Sequence, residues 1–251
     1  MMKKTLRIIF KILSVICLIG IIYFSYKIIT WKIQVDENHK IKDSISKNIK
    51  VKKKKVEEEE KVEYTVDFES LKKDNPDTIA YLKVNNTNID YVVVKGNNND
   101  YYLNHNFHKN SNIAGWIFAD YRNTFDDQDE NIVIYGHDTK DGSMFGTLKN
   151  ILSKGWYENE ENKIITLITE SGTYSYEVFS VYTIIPEDYY ITTNIPDERE
   201  YEIYLNTLKE RSITDFHVEL STTDKILTLS SCIGNGEKRV VLHAKRIKEG
   251  E

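Results

Sequence analysis

From Ile12 to Tyr26 the chain carries no charged residue and is dominated by Ile, Leu, Val and Phe. Counted from Ile8 to Trp31, with Lys11 and Lys27 near its ends, the run reaches the ~20 apolar residues a helix needs to cross ~30 Å of hydrocarbon. The two lysines can snorkel, and Tyr23, Tyr26 and Trp31 suit a membrane–water interface. Lys3, Lys4, Arg7 and Lys11 make the leading end basic, which predicts a single-pass protein in the cell membrane with its N-terminus inside and its body outside. A cleaved signal peptide would need small residues at an A-x-A-like site after the run. The run instead closes Tyr23-Phe24-Ser25-Tyr26-Lys27-Ile28-Ile29-Thr30-Trp31, so an uncleaved anchor is favoured.

Charge divides the chain beyond this anchor. Residues 1–63 hold 15 Lys and Arg against 8 Asp and Glu, whereas residues 64–251 hold 19 against 31. An acidic body argues against nucleic acid as a partner. Lys52 to Lys55 followed by Glu57 to Glu60 reads as a solvated stalk in which i,i+4 pairs favour a short helix; a lipid or partner patch is the alternative. The expected organisation is a cytoplasmic N-terminus over 1–7, a transmembrane anchor over 8–31, a charged stalk over 32–63 and a globular functional domain over 64–251.

The body reads as many short strands. Asp67 can cap a short helix through Lys73, stopped by Asn75-Pro76. Ile79–Val84 and Ile89–Val94 flank Asn85-Asn86-Thr87-Asn88, and Ile164–Thr169 and Tyr174–Ile184 flank Glu170-Ser171-Gly172-Thr173, two hairpin signals. Ile113–Ala119, Ile132–Tyr135, Lys225–Ser231 and Arg239–Ile247 are further runs of strand length. Ser143–Leu152 reads as a short helix with Met144, Leu148 and Ile151 on one stripe. Asp197–Arg211 reads as a helix capped by Asp197, with Tyr201, Tyr204, Leu205 and Leu208 on one face. Without a βαβ rhythm, these elements predict a mostly β barrel or sandwich.

Three reactive side chains fall at strand ends, where a β scaffold exposes them at its rim. His137 follows Ile132-Val133-Ile134-Tyr135-Gly136, Cys232 ends Ile226 to Ser231, and Arg239 starts the last strand. A cysteine attacks as its thiolate. An imidazole exchanges protons near neutral pH, and a guanidinium stays charged and can hold an oxyanion. Together they suffice for acyl transfer through a thioester. Cys17 lies in the apolar run, so Cys232 is the single thiol expected in the body.

The flanks make the pattern specific. Thr228-Leu229-Ser230-Ser231-Cys232 resembles the TLxTC signature of sortases, with Ser231 keeping the hydroxyl of the usual Thr. Arg239-Val240-Val241-Leu242-His243-Ala244-Lys245 resembles the arginine segment of class B sortases. Tyr135-Gly136-His137-Asp138 with Asp141-Gly142-Ser143-Met144-Phe145-Gly146-Thr147-Leu148 is similar to their histidine segment. Asn98-Asn99-Asp100-Tyr101-Tyr102-Leu103 and Ala114-Gly115-Trp116-Ile117-Phe118-Ala119-Asp120 fit as well. The resemblance covers residues 64–248.

It implies an eight-stranded sortase-type β-barrel with N-terminal helices and an inserted helix between late strands. It implies a cysteine transpeptidase that cuts a C-terminal sorting signal, NPxTx or PxTG-like, after Thr and joins the protein to a peptidoglycan cross-bridge or pilin amine. Cys232 is then the nucleophile, His137 the acid/base and Arg239 the oxyanion partner, while Asn99, Leu103 and Ser230 line the signal groove. No cofactor and no metal are implied. The partners implied are surface proteins with sorting signals, the amine acceptor, and the membrane through the N-terminal helix. Six residues separate Cys232 from Arg239, a shorter loop than in some class B members.

Blander readings compete at each position. His137 taken without its flanks reads as a satisfied structural histidine, and Cys232 as a buried small hydrophobe. His243 in an alternating strand reads as structural. His105 and His108 lack a third metal ligand. Asp126, Asp127, Asp129 and Glu130 lack calcium-loop spacing and read as a solvated loop. Asp138 either orients His137 or faces water, and the tyrosines read as core. The rival functions are a surface cysteine hydrolase using water as acceptor and a non-catalytic wall-facing binding domain.

Overall fold

The structure, a computed structural model, describes residues 2–56, 59–126, 128–233 and 236–247. It opens with one helix, α1 (Met2–Ser46). Its leading part, from Thr5, is long and apolar enough to cross a membrane, and its apolar side chains face outward rather than onto the body. The helix does not stop at Trp31. Val35, Asn38, Ile41 and Ile45 recur at helical spacing and are buried against the body. Residues 34–46, expected within a solvated stalk, are therefore docked.

The next segment also departs from expectation. β1 (Ile49–Val56) and β2 (Glu59–Val66) pair as an antiparallel ribbon, with Ile49 opposite Val66, where a short helix was expected. At its base Ile49, Tyr64 and Val66 pack on the core, and the Tyr64 ring lies 6.0 Å from that of Tyr81. Tertiary burial of these residues overrides the local helix tendency of a Lys/Glu run.

α2 (Phe68–Asp74) is capped as expected by Asp67, which accepts from the Ser70 amide at 3.0 Å. The barrel is built from β3 (Thr78–Val84), β4 (Asp90–Val94), β5 (Phe118–Ala119), β6 (Asn131–Gly136), β7 (Ile164–Thr169), β8 (Gly172–Ile184), β9 (Ile226–Ile233) and β10 (Lys238–Arg246). These eight strands close in the order β10-β8-β7-β3-β4-β5-β6-β9, with β9 returning to β10. The β4/β5 and β6/β9 pairs are parallel, and the others are antiparallel. Closure leaves no free barrel edge and fills the interior with side chains. The interior is rich in aromatic and β-branched residues, among them Tyr81, Trp116, Phe179 and Val240.

Two predicted elements are shorter than expected. The Ile113–Ala119 run forms a strand only at Phe118–Ala119, because Gly115 turns with φ +58° and donates to the Asn112 carbonyl at 3.0 Å. Ser143–Leu152 is not one helix. Gly142 and Met144 have φ of +80° and +50°, so only Leu148–Leu152 winds, as a 3-10 turn. Met144, Leu148 and Ile151 are buried all the same.

After α3 (Lys154–Tyr157), α4 (Glu198–Glu210) lies between β8 and β9 as the inserted late helix. Asp197 caps it through the Glu200 amide at 2.8 Å, and Tyr201, Tyr204, Leu205 and Leu208 face the core.

Candidate active site

Two strand pairings assemble the site. β6 and β9 run parallel with Gly136 opposite Ser231, so the next residues, His137 and Cys232, leave the ladder side by side. β9 and β10 run antiparallel with Arg239 paired to Cys232. The Ser231 hydroxyl donates to the Gly136 carbonyl at 2.8 Å and pins the two strands just before the reactive pair. Gly136 has no room for a side chain: a Cβ there would overlap Ile117 and come within 2.7 Å of the Phe145 ring.

Cys232, His137 and Arg239 are each partly exposed on a cleft of about 450 Å3. Asn99, Leu103 and Ser230 line the same cleft, so all six residues singled out in the sequence meet there. His137 Nε2 lies 2.7 Å from the Leu103 carbonyl oxygen. A carbonyl only accepts, so Nε2 carries a proton and Nδ1 is the nitrogen left to exchange one. The Arg239 guanidinium donates to the Gly236 carbonyl at 2.9 Å and to the Lys238 carbonyl at 3.2 Å. A thiol, an imidazole with one free nitrogen and a fixed cation on one rim can form and resolve a thioester.

The cleft wall contains residues that the sequence did not single out. The loop after β8 brings Pro186, Glu187, Tyr190 and Ile191 over the rim. Tyr190 hydrogen-bonds Ser230 at 3.1 Å, and burial pushes its hydroxyl pKa up. No local motif announced this loop. Beneath the opposite wall, buried Asp120 accepts from Asn99 at 2.9 Å, from Tyr135 at 2.8 Å and from Arg122 Nη2 at 2.7 Å. Burial alone would raise the Asp120 pKa, but the donors of Arg122, Tyr135 and Asn99 outweigh it and hold the carboxyl below the usual carboxylate range.

Neighbouring polar residues have other work. Asp138 pairs with Lys149 at 2.9 Å. His105 stacks on Tyr101 at 4.0 Å and bonds its carbonyl. Asp129 accepts the Thr124 and Phe125 amides. His243 is fully buried, 2.8 Å from both Thr228 Oγ1 and the Tyr182 hydroxyl. Thr228 gives its proton to Asn131, so His243 Nδ1 donates to Thr228 and Nε2 accepts from Tyr182. Burial lowers the His243 pKa to about 3, so it is a neutral strut.

A family model described as the sortase domain matches residues 82–247. Sortase B of Staphylococcus aureus is 32% identical over 250 residues, 98% of each chain. The chain belongs to the sortase B family. Sortase B of Listeria monocytogenes is 40% identical over 168 residues, 66% of this chain and 67% of that one. A solved Staphylococcus aureus sortase B–substrate complex superposes with a TM-score of 0.68 at 35% identity, covering 73% of this chain and 85% of the other. As a sortase B, the chain is a cysteine transpeptidase of cell-wall protein anchoring, with an N-terminal helix fit for membrane attachment.

Proposed function

We propose that Cys232 is the nucleophile of this sortase, His137 its acid/base and Arg239 its oxyanion partner, acting on a C-terminal sorting signal of NPxTx or PxTG-like sequence. The Cys232 thiolate attacks the carbonyl carbon of the signal's Thr, and Arg239 holds the oxyanion. The C–N bond breaks as His137 delivers a proton to the departing amine, leaving a thioester. An amine of a peptidoglycan cross-bridge or a pilin then attacks, surrenders its proton to His137 and releases the thiolate. Asn99, Leu103 and Ser230 line the signal groove.

Residues 8–31 span the membrane with 1–7 inside, and the domain over 64–251 works on the outer face. The observation that carries this reading is the meeting of the thiol, the imidazole and the guanidinium on one cleft.

The test is cleavage of fluorogenic NPxTx and PxTG peptides by the detergent-solubilised chain. Turnover is expected to vanish in Cys232→Ala, and added amine nucleophiles are expected to shift the product from acid to amide. Activity that survives Cys232→Ala overturns the assignment. Product that stays acid at saturating amine points instead to a hydrolase.

A further inference from the structure

The docked half of α1 reaches both chain segments that hold His137. On one side, the buried Asn38 side chain donates to the Gly115 carbonyl at 3.0 Å and to Asn112 Oδ1 at 3.3 Å. Asn112 Nδ2 returns a bond to the Gln34 carbonyl at 2.8 Å. This seats the Asn112–Trp116 turn against the Tyr101–Leu103 turn. Trp116 N donates to the Tyr102 carbonyl at 3.0 Å, and a Cβ at Gly115 would come within 2.8 Å of the Leu103 carbonyl oxygen. That oxygen is the acceptor of His137 Nε2.

On the other side, His39 Nε2 lies 2.8 Å from Asp141 Oδ2. Asp141 Oδ1 accepts the Ser143 hydroxyl at 2.9 Å, and Thr139 bonds Ser143 in turn. The Thr139 and Phe145 amides both close on the His137 carbonyl, at 3.1 and 3.0 Å.

From this convergence we infer that Asn38, assisted by His39, is a positioning residue for the His137 imidazole, so that the juxtamembrane end of α1 belongs to the catalytic apparatus. The inference rests on His137 being the acid/base, as proposed above. Magnitudes rank the two residues. A half-exposed His–Asp pair contributes little, whereas losing a buried amide leaves a buried carbonyl without its donor. Asn38 therefore leads. It acts by fixing the Leu103 carbonyl, which accepts from Nε2–H and keeps Nδ1 aimed into the cleft.

The test compares Asn38→Ala, His39→Ala, His39→Gln and His137→Ala with the parent in the full-length chain. The kcat and KM of peptide turnover and the alkylation rate of Cys232 are read for each. Asn38→Ala is expected to lower kcat about tenfold or more with KM within about twofold, the scale of a misplaced catalytic group. This split, with Cys232 alkylating at the parent rate, separates a displaced imidazole from a disturbed fold. His39→Ala should lose about two- to threefold, and His39→Gln should restore it, since the amide replaces Nε2 as donor.

An unchanged kcat, or a fall in kcat matched by a comparable rise in KM, overturns the inference and leaves α1 a structural prop. If Asn38→Ala loses its fold, seen as altered alkylation, the His39 pair decides: loss with rescue supports the inference and no loss overturns it. Activity retained in His137→Ala removes the acid/base assignment and this inference with it. Inactive His137→Ala beside fully active Asn38 and His39 variants removes this inference alone.

Discussion

Arg239 lies directly across the β9–β10 ladder from Cys232. Directly opposed residues of an antiparallel pair project from the same face, with Cβ atoms about 5 Å apart. The guanidinium and the thiol therefore reach the cleft together by backbone pairing. The Gly236 and Lys238 carbonyls hold the guanidinium at 2.9 and 3.2 Å.

Arg239→Ala is expected to lower kcat/KM by about 10²–10³, the usual effect of losing an oxyanion donor. Cys232 alkylation should be unchanged. Arg239→Lys should recover little, because an ammonium does not reproduce the planar fork. Peptide cleavage beside thiol labelling checks both statements.

Gly136 sets the take-off of His137. Adding one methyl there forces Ile117 and Phe145 to move. Gly136→Ala should destabilise the fold by about 1–3 kcal/mol through overpacking and lower turnover by displacing the imidazole. Denaturant midpoints and peptide cleavage, measured on the same sample, report the two effects.

His243 gives the barrel a pH dependence of definite sign. Its pKa falls from 6.5 unfolded to about 3 folded. Below pH 6.5 the unfolded chain binds a proton that the folded chain refuses. Stability from this group is thus complete above pH 6.5 and declines as pH falls toward 3, by up to about 1.4 kcal/mol per unit. Denaturant unfolding at pH 7, 6, 5 and 4 should show that slope, and it should be shallower in His243→Asn.

Local pattern made the strand ends and the α4 cap at Asp197 legible in the sequence, and the flanking motifs singled out Cys232, His137 and Arg239. What stayed hidden was long-range. The parallel pairing of β6 with β9 joins residues such as Gly136 and Ser231, far apart in the chain, and no local periodicity encodes that register. The Val35, Asn38, Ile41 and Ile45 stripe was present in the sequence. It was diluted by Asp36, Glu37, Lys40 and Asp43, and its meaning depends on a barrel wall to bury it. The Tyr190 loop has no repeat or motif at all. It lines the cleft only because β8 ends there and α4 begins beyond it.

Asp120 joins stability to the shape of the cleft wall. Its Oδ1 accepts the Arg122 amide at 3.0 Å and Nε at 2.8 Å, while Oδ2 accepts Arg122 Nη2, Asn99 and Tyr135. All five partners are donors, so only an ionised carboxylate fits. Asp120→Asn would point an amide NH2 at one set of donors and leave Arg122 without its counter-charge. Breaking a buried pair from one side costs about 3–5 kcal/mol, and partly exposed Arg122 places this case at the low end. Because the groups Asp120 holds at the cleft are Asn99 and Tyr135, and neither Cys232 nor His137 is among its hydrogen-bond partners, KM should rise more than kcat falls. The carboxyl's depressed pKa sets the acid behaviour too: its stabilisation is present above the ordinary Asp pKa and lost as pH falls through the folded value. Steady-state kinetics at pH 7 with denaturant unfolding from pH 5 to 2 checks the whole set. A variant with parent KM and parent acid stability would show that the Asp120 hub does not support the cleft wall.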